Sequence, residues 1–197
     1  ACSEIMRVQG NLEEVNLRLL SALRTNINMS YGGAISGKER IALIKEVDRL
    51  VFHDNDSGEN FLRQYVEPQM AHPECAYPPV GLLGNEEVFS HLRSTLSIEW
   101  LKRFHELKLD QLNALFEIAA QHGNRDDLRE IIAERCAEFM SDWPTMTEDD
   151  KTERRRTFWL IRAWYFLNDL PEAYWNWLKA DKNTVLVLYE LSSRINC

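Results

Sequence analysis

Apolar residues recur along this chain at steps of three and four, the period that lines up one face of an α-helix. Between Ser3 and Asn26 the stripe is Leu12, Val15, Leu19, Ala22 and Leu23, with Gly10 and Asn11 interrupting its first turns. It returns from Gly37 to Phe52 as Ile41, Ile44, Val47 and Val51. A third helix is predicted from Glu59 to His72. Pro68 disturbs it, because proline has no N–H for a helix interior. The stretch HPECAYPPVGLLGN, residues 72–85, is the clearest breaker and predicts a loop or linker. The expected organisation is therefore a helical segment over 1–71, the linker at 72–85 and a helical domain over 86–197, free to pack as one domain. Asn85 reads as a helix cap with Glu86 and Glu87 behind it. A break is expected near Ser97 or Lys108 and a turn at HGNRDD. Further helices run from Asp126 to Trp143, from Thr147 onward, from Pro171, and from Asn183 or Thr184 through VLVLYELSSRI. No strand partner is evident for that last apolar run. The fold class is all-α, an irregular bundle of about eight helices by periodicity.

Two stretches share a plan. LNALFEIAAQHGNRDDLREIIAERCAEF and RTFWLIRAWYFLNDLPEAYWNWLKAD each read as helix, short polar turn, helix. Each resembles a helical hairpin of the tetratricopeptide kind, and the resemblance implies stacked hairpins in the C-terminal half. Two hairpins fall short of the three or so units such an array needs. An irregular bundle, whose neighbouring helices look alike in sequence, is the preferred expectation.

Composition narrows the class. The 197 residues are 45% hydrophobic and 27% charged, which supports a folded core and excludes a disordered chain. A net charge of -8 argues against a nucleic-acid partner and against an anionic membrane surface. No apolar run is long enough for a membrane span, and no signal-like segment follows Ala1. Cys2, Cys75, Cys136 and Cys197 lack the close pairing of zinc or redox sites. Cys136 sits in an apolar helical pattern and reads as a buried small hydrophobe. A reducing compartment, the cytoplasm, is expected.

Several short motifs invite chemistry. Gly32 to Glu39 reads GGAISGKE, one residue from a phosphate loop. That loop needs a preceding strand, and Ser or Thr after the lysine to hold magnesium. TNINMS is a poor strand, and Glu39 would repel phosphate. Ser36 and Glu39 instead match a capping box at a helix start. HDNDSGEN, residues 53–60, offers Asp54, Asp56 and Glu59 as calcium oxygens. Counting Gly58 as the sixth position of a calcium loop places His53 first and Gln64 twelfth, which fits neither end. A polar turn in which Asp56 or Ser57 caps the next helix is the expectation. The five histidines form no metal spacing. The run Arg154-Arg155-Arg156 follows Glu148, Asp149, Asp150 and Glu153, so a solvated, charge-paired helix face is expected. No metal site, cofactor or catalytic residue is assigned.

The densest feature is aromatic: Phe158, Trp159, Trp164, Tyr165, Phe166, Tyr174, Trp175 and Trp177. That exceeds one packing seam, and exposed Trp and Tyr commonly anchor interfaces. Trp159, Trp164, Tyr174, Trp175 and Trp177 are therefore the candidate partner-binding residues. The expected function is non-catalytic: an adaptor, inhibitor or regulatory module whose partner is another protein. The alternative is an all-α enzyme whose acid–base groups converge from distant helices, with His91, His105 and Asp54 as candidates.

Overall fold

The computed structural model describes residues 1–27, 36–72, 75, 77–141, 150–180, 184, 185 and 189. Among these residues every regular element is helical and no strand occurs. The chain divides into two compact units, 1–92 and 93–197.

In the first unit, α1 (Cys2–Gln9) stops where Gly10 turns to a positive φ of 78°, its N–H donating back to the Met6 carbonyl. Glycine takes that left-handed conformation without the steric penalty of a side chain. α2 (Leu17–Asn26) is capped by Asn16, whose side chain accepts from the Arg18 N–H. α3 (Gly37–Val51) starts at the expected capping box. The Glu39 N–H donates to Ser36 Oγ at 3.3 Å, and the Ser36 N–H donates to Glu39 Oε2 at 2.8 Å. Leu12, Leu20, Ile27, Leu43, Val47 and Val51 form one buried cluster. Three expected core positions fall outside it: Leu19 is 64% exposed, Ile41 is 56% exposed, and Ala22 is exposed too. Leu20 and Leu43 are buried in their place. A one-residue offset turns a helix by about 100°, enough to move a side chain from core to solvent.

α4 (Asn55–Tyr65) begins four residues before the expected Glu59. Its cap is Asp54, not Asp56 or Ser57: the Ser57 N–H donates to Asp54 Oδ1 at 2.7 Å. Pro68 splits the expected third helix in two. α5 (Glu67–Ala71) carries it in the first turn, where its missing N–H is not needed. Residues 72–85 lie within the first unit, and their last part folds as α6 (Gly81–Asn85). Asn85 thus ends a short helix instead of capping the next one. A 3-10 segment, Glu87–Leu92, follows and packs on α4 and α6.

The second unit opens with α7 (Arg93–Arg103), then α8 (Leu109–His122), α9 (Arg125–Ser141), α10 (Asp150–Phe166) and α11 (Glu172–Leu178). Ser97 is buried inside α7, so the expected break falls at 104–108. The opening at Thr147, the helix end at Trp143 and most of the expected last helix lie outside the described residues. α7 packs chiefly on α8, and α9 on α10. The main packed pairs are therefore one helix out of step with the two hairpins expected from sequence. The α8–α9 turn is tight: a Cβ built on Gly123 would lie 2.7 Å from the Ala119 carbonyl oxygen and 2.9 Å from Ile98 Cδ1. Only a residue without Cβ lets α7 and the end of α8 approach that closely.

Candidate protein-interaction surface

The C-terminal half of α10, from Phe158 to Phe166, is largely apolar. Phe158, Trp159, Leu160, Ile161 and Ala163 are all buried. Phe116 of α8 is their hub, meeting Phe158 at 5.8 Å, Trp159 at 6.1 Å and Phe166 at 5.5 Å between ring centroids, each edge to face. Edge-to-face contact matches the positive rim of one ring to the negative face of the other. Burial of Trp159 removes it from the candidate surface.

α11 docks through two residues. Tyr174 and Trp177 are 1% and 0% exposed. The Tyr174 hydroxyl donates to the Leu160 carbonyl of α10 at 2.8 Å. Burial pushes its phenol pKa up, so the O–H stays a donor. Tyr174 and Trp177 are therefore also corrections to the sequence expectation: they are core anchors without a free face. The reason is α11's spacing. Positions 174 and 177 are three apart and share the face turned to α10, whereas 175 is turned about 100° from 174.

The remaining two tryptophans are brought together at the surface. Trp164, near the end of α10, is 44% exposed; Trp175 is 39% exposed. Their rings meet edge to face, 5.2 Å between centroids at 71°. Trp175 leans on Tyr174 at 5.8 Å, and Tyr174 on Trp177 at 6.0 Å. A continuous aromatic path thus runs from fully buried Trp177 out to Trp164. Tyr165, 52% exposed, lies next to Trp164 in sequence. The surface pair rests on a buried stack, and packing of this kind limits the rotamer freedom that a partner would have to freeze.

The charges around this core differ from expectation. Of the arginine run only Arg154 is exposed; Arg155 and Arg156 are buried. Arg155 is a tie across the α7–α8 connection. Its NH1 donates to Glu106 Oε2 at 2.7 Å, and its NH2 to the carbonyls of Leu107, at 3.1 Å, and Glu106. Burial pushes the Arg156 guanidinium pKa down. Arg162 lies over the Phe158 ring, 3.3 Å from its centroid, and donates to Asn113 Oδ1 at 2.8 Å. Arginine satisfies carbonyls with its fork while its planar cation stacks on a ring, so it tolerates sites where lysine would not. Spacing along one helix gave no signal of this, because Glu106, Leu107 and Asn113, which accept from Arg155 and Arg162, lie outside α10.

The residues of the enzymatic alternative fall in both units. Asp54 is used as a helix cap, and the Ser57 backbone holds its carboxyl pKa down. His91 is exposed in the 3-10 segment of the first unit. His105 belongs to the second unit, its Nδ1 2.8 Å from Arg135 NH1. Cys136 is buried, and desolvation pushes its thiol pKa up to about 12. Among the described residues no His, Cys, Asp and Glu cluster has the geometry of a metal site. No described helix is long and apolar enough to cross a membrane.

The chain matches no protein-family model, no curated protein and no solved structure.

Proposed function

We propose that this chain is a protein-interaction module whose contact point is the exposed pair Trp164–Trp175, with Tyr165 beside it. One observation carries the reading: two large rings stay in solvent at the end of a stack whose inner members are fully buried. Leaving indole surface in water forgoes hydrophobic stabilisation of about 25 cal/mol per Å². A partner that covers the pair recovers it. Trp and Tyr are also the residue types that most often dominate binding energy at interfaces. The role is that of an adaptor, inhibitor or regulatory subunit, in which binding itself is the activity.

The test is a photo-crosslinker placed in the surface. A benzophenone side chain in place of Tyr165 should give a discrete adduct with a partner protein in the native source. The same side chain at Ala133, an exposed site on α9, should not. Identical adducts from both positions, or none from Tyr165, would refute the reading.

A further inference from the structure

The first unit holds an open cleft of about 410 Å³, within the size range of natural ligand sites. One wall is α2, through Ser21 and Thr25; the other is α4, through Asn60, Phe61, Gln64 and Tyr65. Every lining side chain is uncharged. Ser21 and Thr25 spend their hydroxyl hydrogens on carbonyls of their own helix, at 3.0 and 2.8 Å. Asn60 and Gln64 differ. Both are exposed, and among the described residues neither side chain makes a hydrogen bond. Each primary amide offers an N–H donor and a C=O acceptor side by side, the complement of a peptide group.

Their spacing selects an occupant. Residues four apart on a helix are displaced by about 6 Å along its axis. In an extended chain, every second residue repeats at about 6.6–6.8 Å. Two amides so placed meet two successive peptide groups on one side of an extended segment. The α4 wall from Ser57 to Tyr65 rises about 12 Å, room for about four extended residues at 3.3 Å each. The partly exposed rings of Phe61 and Tyr65, 5.6 Å apart, offer an apolar seat for one side chain between the amide contacts. An uncharged lining matches an uncharged interior segment; it has no cation or carboxylate to receive a chain terminus or a charged side chain.

We propose that the cleft between α2 and α4 binds an extended, uncharged segment of a partner polypeptide by its main chain, with Asn60 and Gln64 as the two clamps. Main-chain hydrogen bonds would give affinity and the ring seat would give side-chain preference. The proposal stands on the first unit alone and survives or fails independently of the aromatic pair.

The experiment is a titration of the full ¹⁵N-labelled chain with a pool of capped pentapeptides randomised over alanine, leucine, threonine and phenylalanine. The side-chain NH₂ resonances of Asn60 and Gln64, identified by their loss in Asn60→Ala and Gln64→Ala, are the readout. Both pairs should shift saturably. The double variant, read by the backbone amide resonances of Phe61 and Tyr65 in the same cleft, should bind at least about tenfold more weakly than wild type read the same way, the scale of two lost hydrogen bonds, with an unchanged melting curve. A pool carrying N-methylated peptide bonds should not bind. The proposal is overturned by any of three results: no saturable shift at millimolar peptide, equal binding by the double variant, or equal binding of the methylated pool. It is also overturned if a neutral sugar such as methyl glucoside shifts these resonances and the peptides do not.

Discussion

Gly123→Ala isolates one close contact and gives it a sign. The backbone there is ordinary for alanine, with φ -77° and ψ 167°. Conformational entropy of the unfolded chain alone would favour alanine by about 0.4–1 kcal/mol. The contact opposes this. The new Cβ would stand 2.7 Å from the Ala119 carbonyl oxygen and 2.9 Å from two Ile98 side-chain carbons. The oxygen is backbone and already accepts the Gly123 N–H at 2.8 Å, so it cannot retreat without loosening the end of α8. Overpacking of this kind costs about 1–3 kcal/mol. Taking about 2 against about 0.7 leaves a net loss of about 1 kcal/mol. With a urea slope of about 1–3 kcal/mol per molar, the midpoint should fall by about 0.3–1 M. All six tryptophans are in the second unit, so their fluorescence reports this unfolding selectively. Gly37→Ala is the control: nothing lies within 4 Å of its built Cβ, and circular dichroism should show a neutral or slightly raised stability. A midpoint for Gly123→Ala at or above wild type would mean that the contact is soft and the reasoning wrong.

Other outcomes follow from the same structure. Ser36→Ala should lower stability by about 1 kcal/mol in chemical denaturation, the scale of a lost helix cap. Glu39, its reciprocal partner, has a carboxyl pKa held below 4.5 by Ser36. Its folded pKa lies below its unfolded one, so its contribution is present above pH 4.5 and lost as pH falls through the folded value. The stability gap between wild type and Glu39→Ala should therefore close on acidification. Trp177→Ala should cost about 3–5 kcal/mol, whereas Trp175→Ala should cost much less; comparable losses would contradict the assignment of inside and outside. Cys136 should resist alkylation in the native protein at pH 8 and react on unfolding, measured by mass shift after iodoacetamide.

The legible parts of the fold were those set by neighbours in sequence. Ser36 and Glu39 form a capping box because both partners lie within four residues and the helix follows at once. Helical class was legible from periodicity. Rotation about each helix axis was not: the stripe through Leu19 and Ile41 differs from the real one by a single residue or two, since polar residues such as Arg24 are drawn into the core by tertiary partners. Arg24 is buried and pairs with Asp48 at 2.5 Å and Glu86 at 3.2 Å. Burial nonetheless pushes the Asp48 pKa up. Arg155 and Arg156 were misread for the same reason. The aromatic cluster was visible as composition, but neighbouring aromatic positions offer no polar face by which to orient a helix. Trp159, Tyr174 and Trp177 could not be separated from Trp164 and Trp175 until α10 and α11 were seen packed. Asn60 and Gln64 gave no sequence signal, since exposed amides are common and only the α2 wall makes them part of a cleft.

The central claim is that the Trp164–Trp175 pair binds protein without being needed for the fold. The direct measurement is capture of the crosslinked partner by immobilised wild type and by the Trp164→Ala, Trp175→Ala double variant, alongside a melting curve for each. The account predicts that the double variant keeps a cooperative melt and its helicity but loses capture by tenfold or more, on the order of one interface hot spot. Undiminished capture by a folded double variant would contradict it.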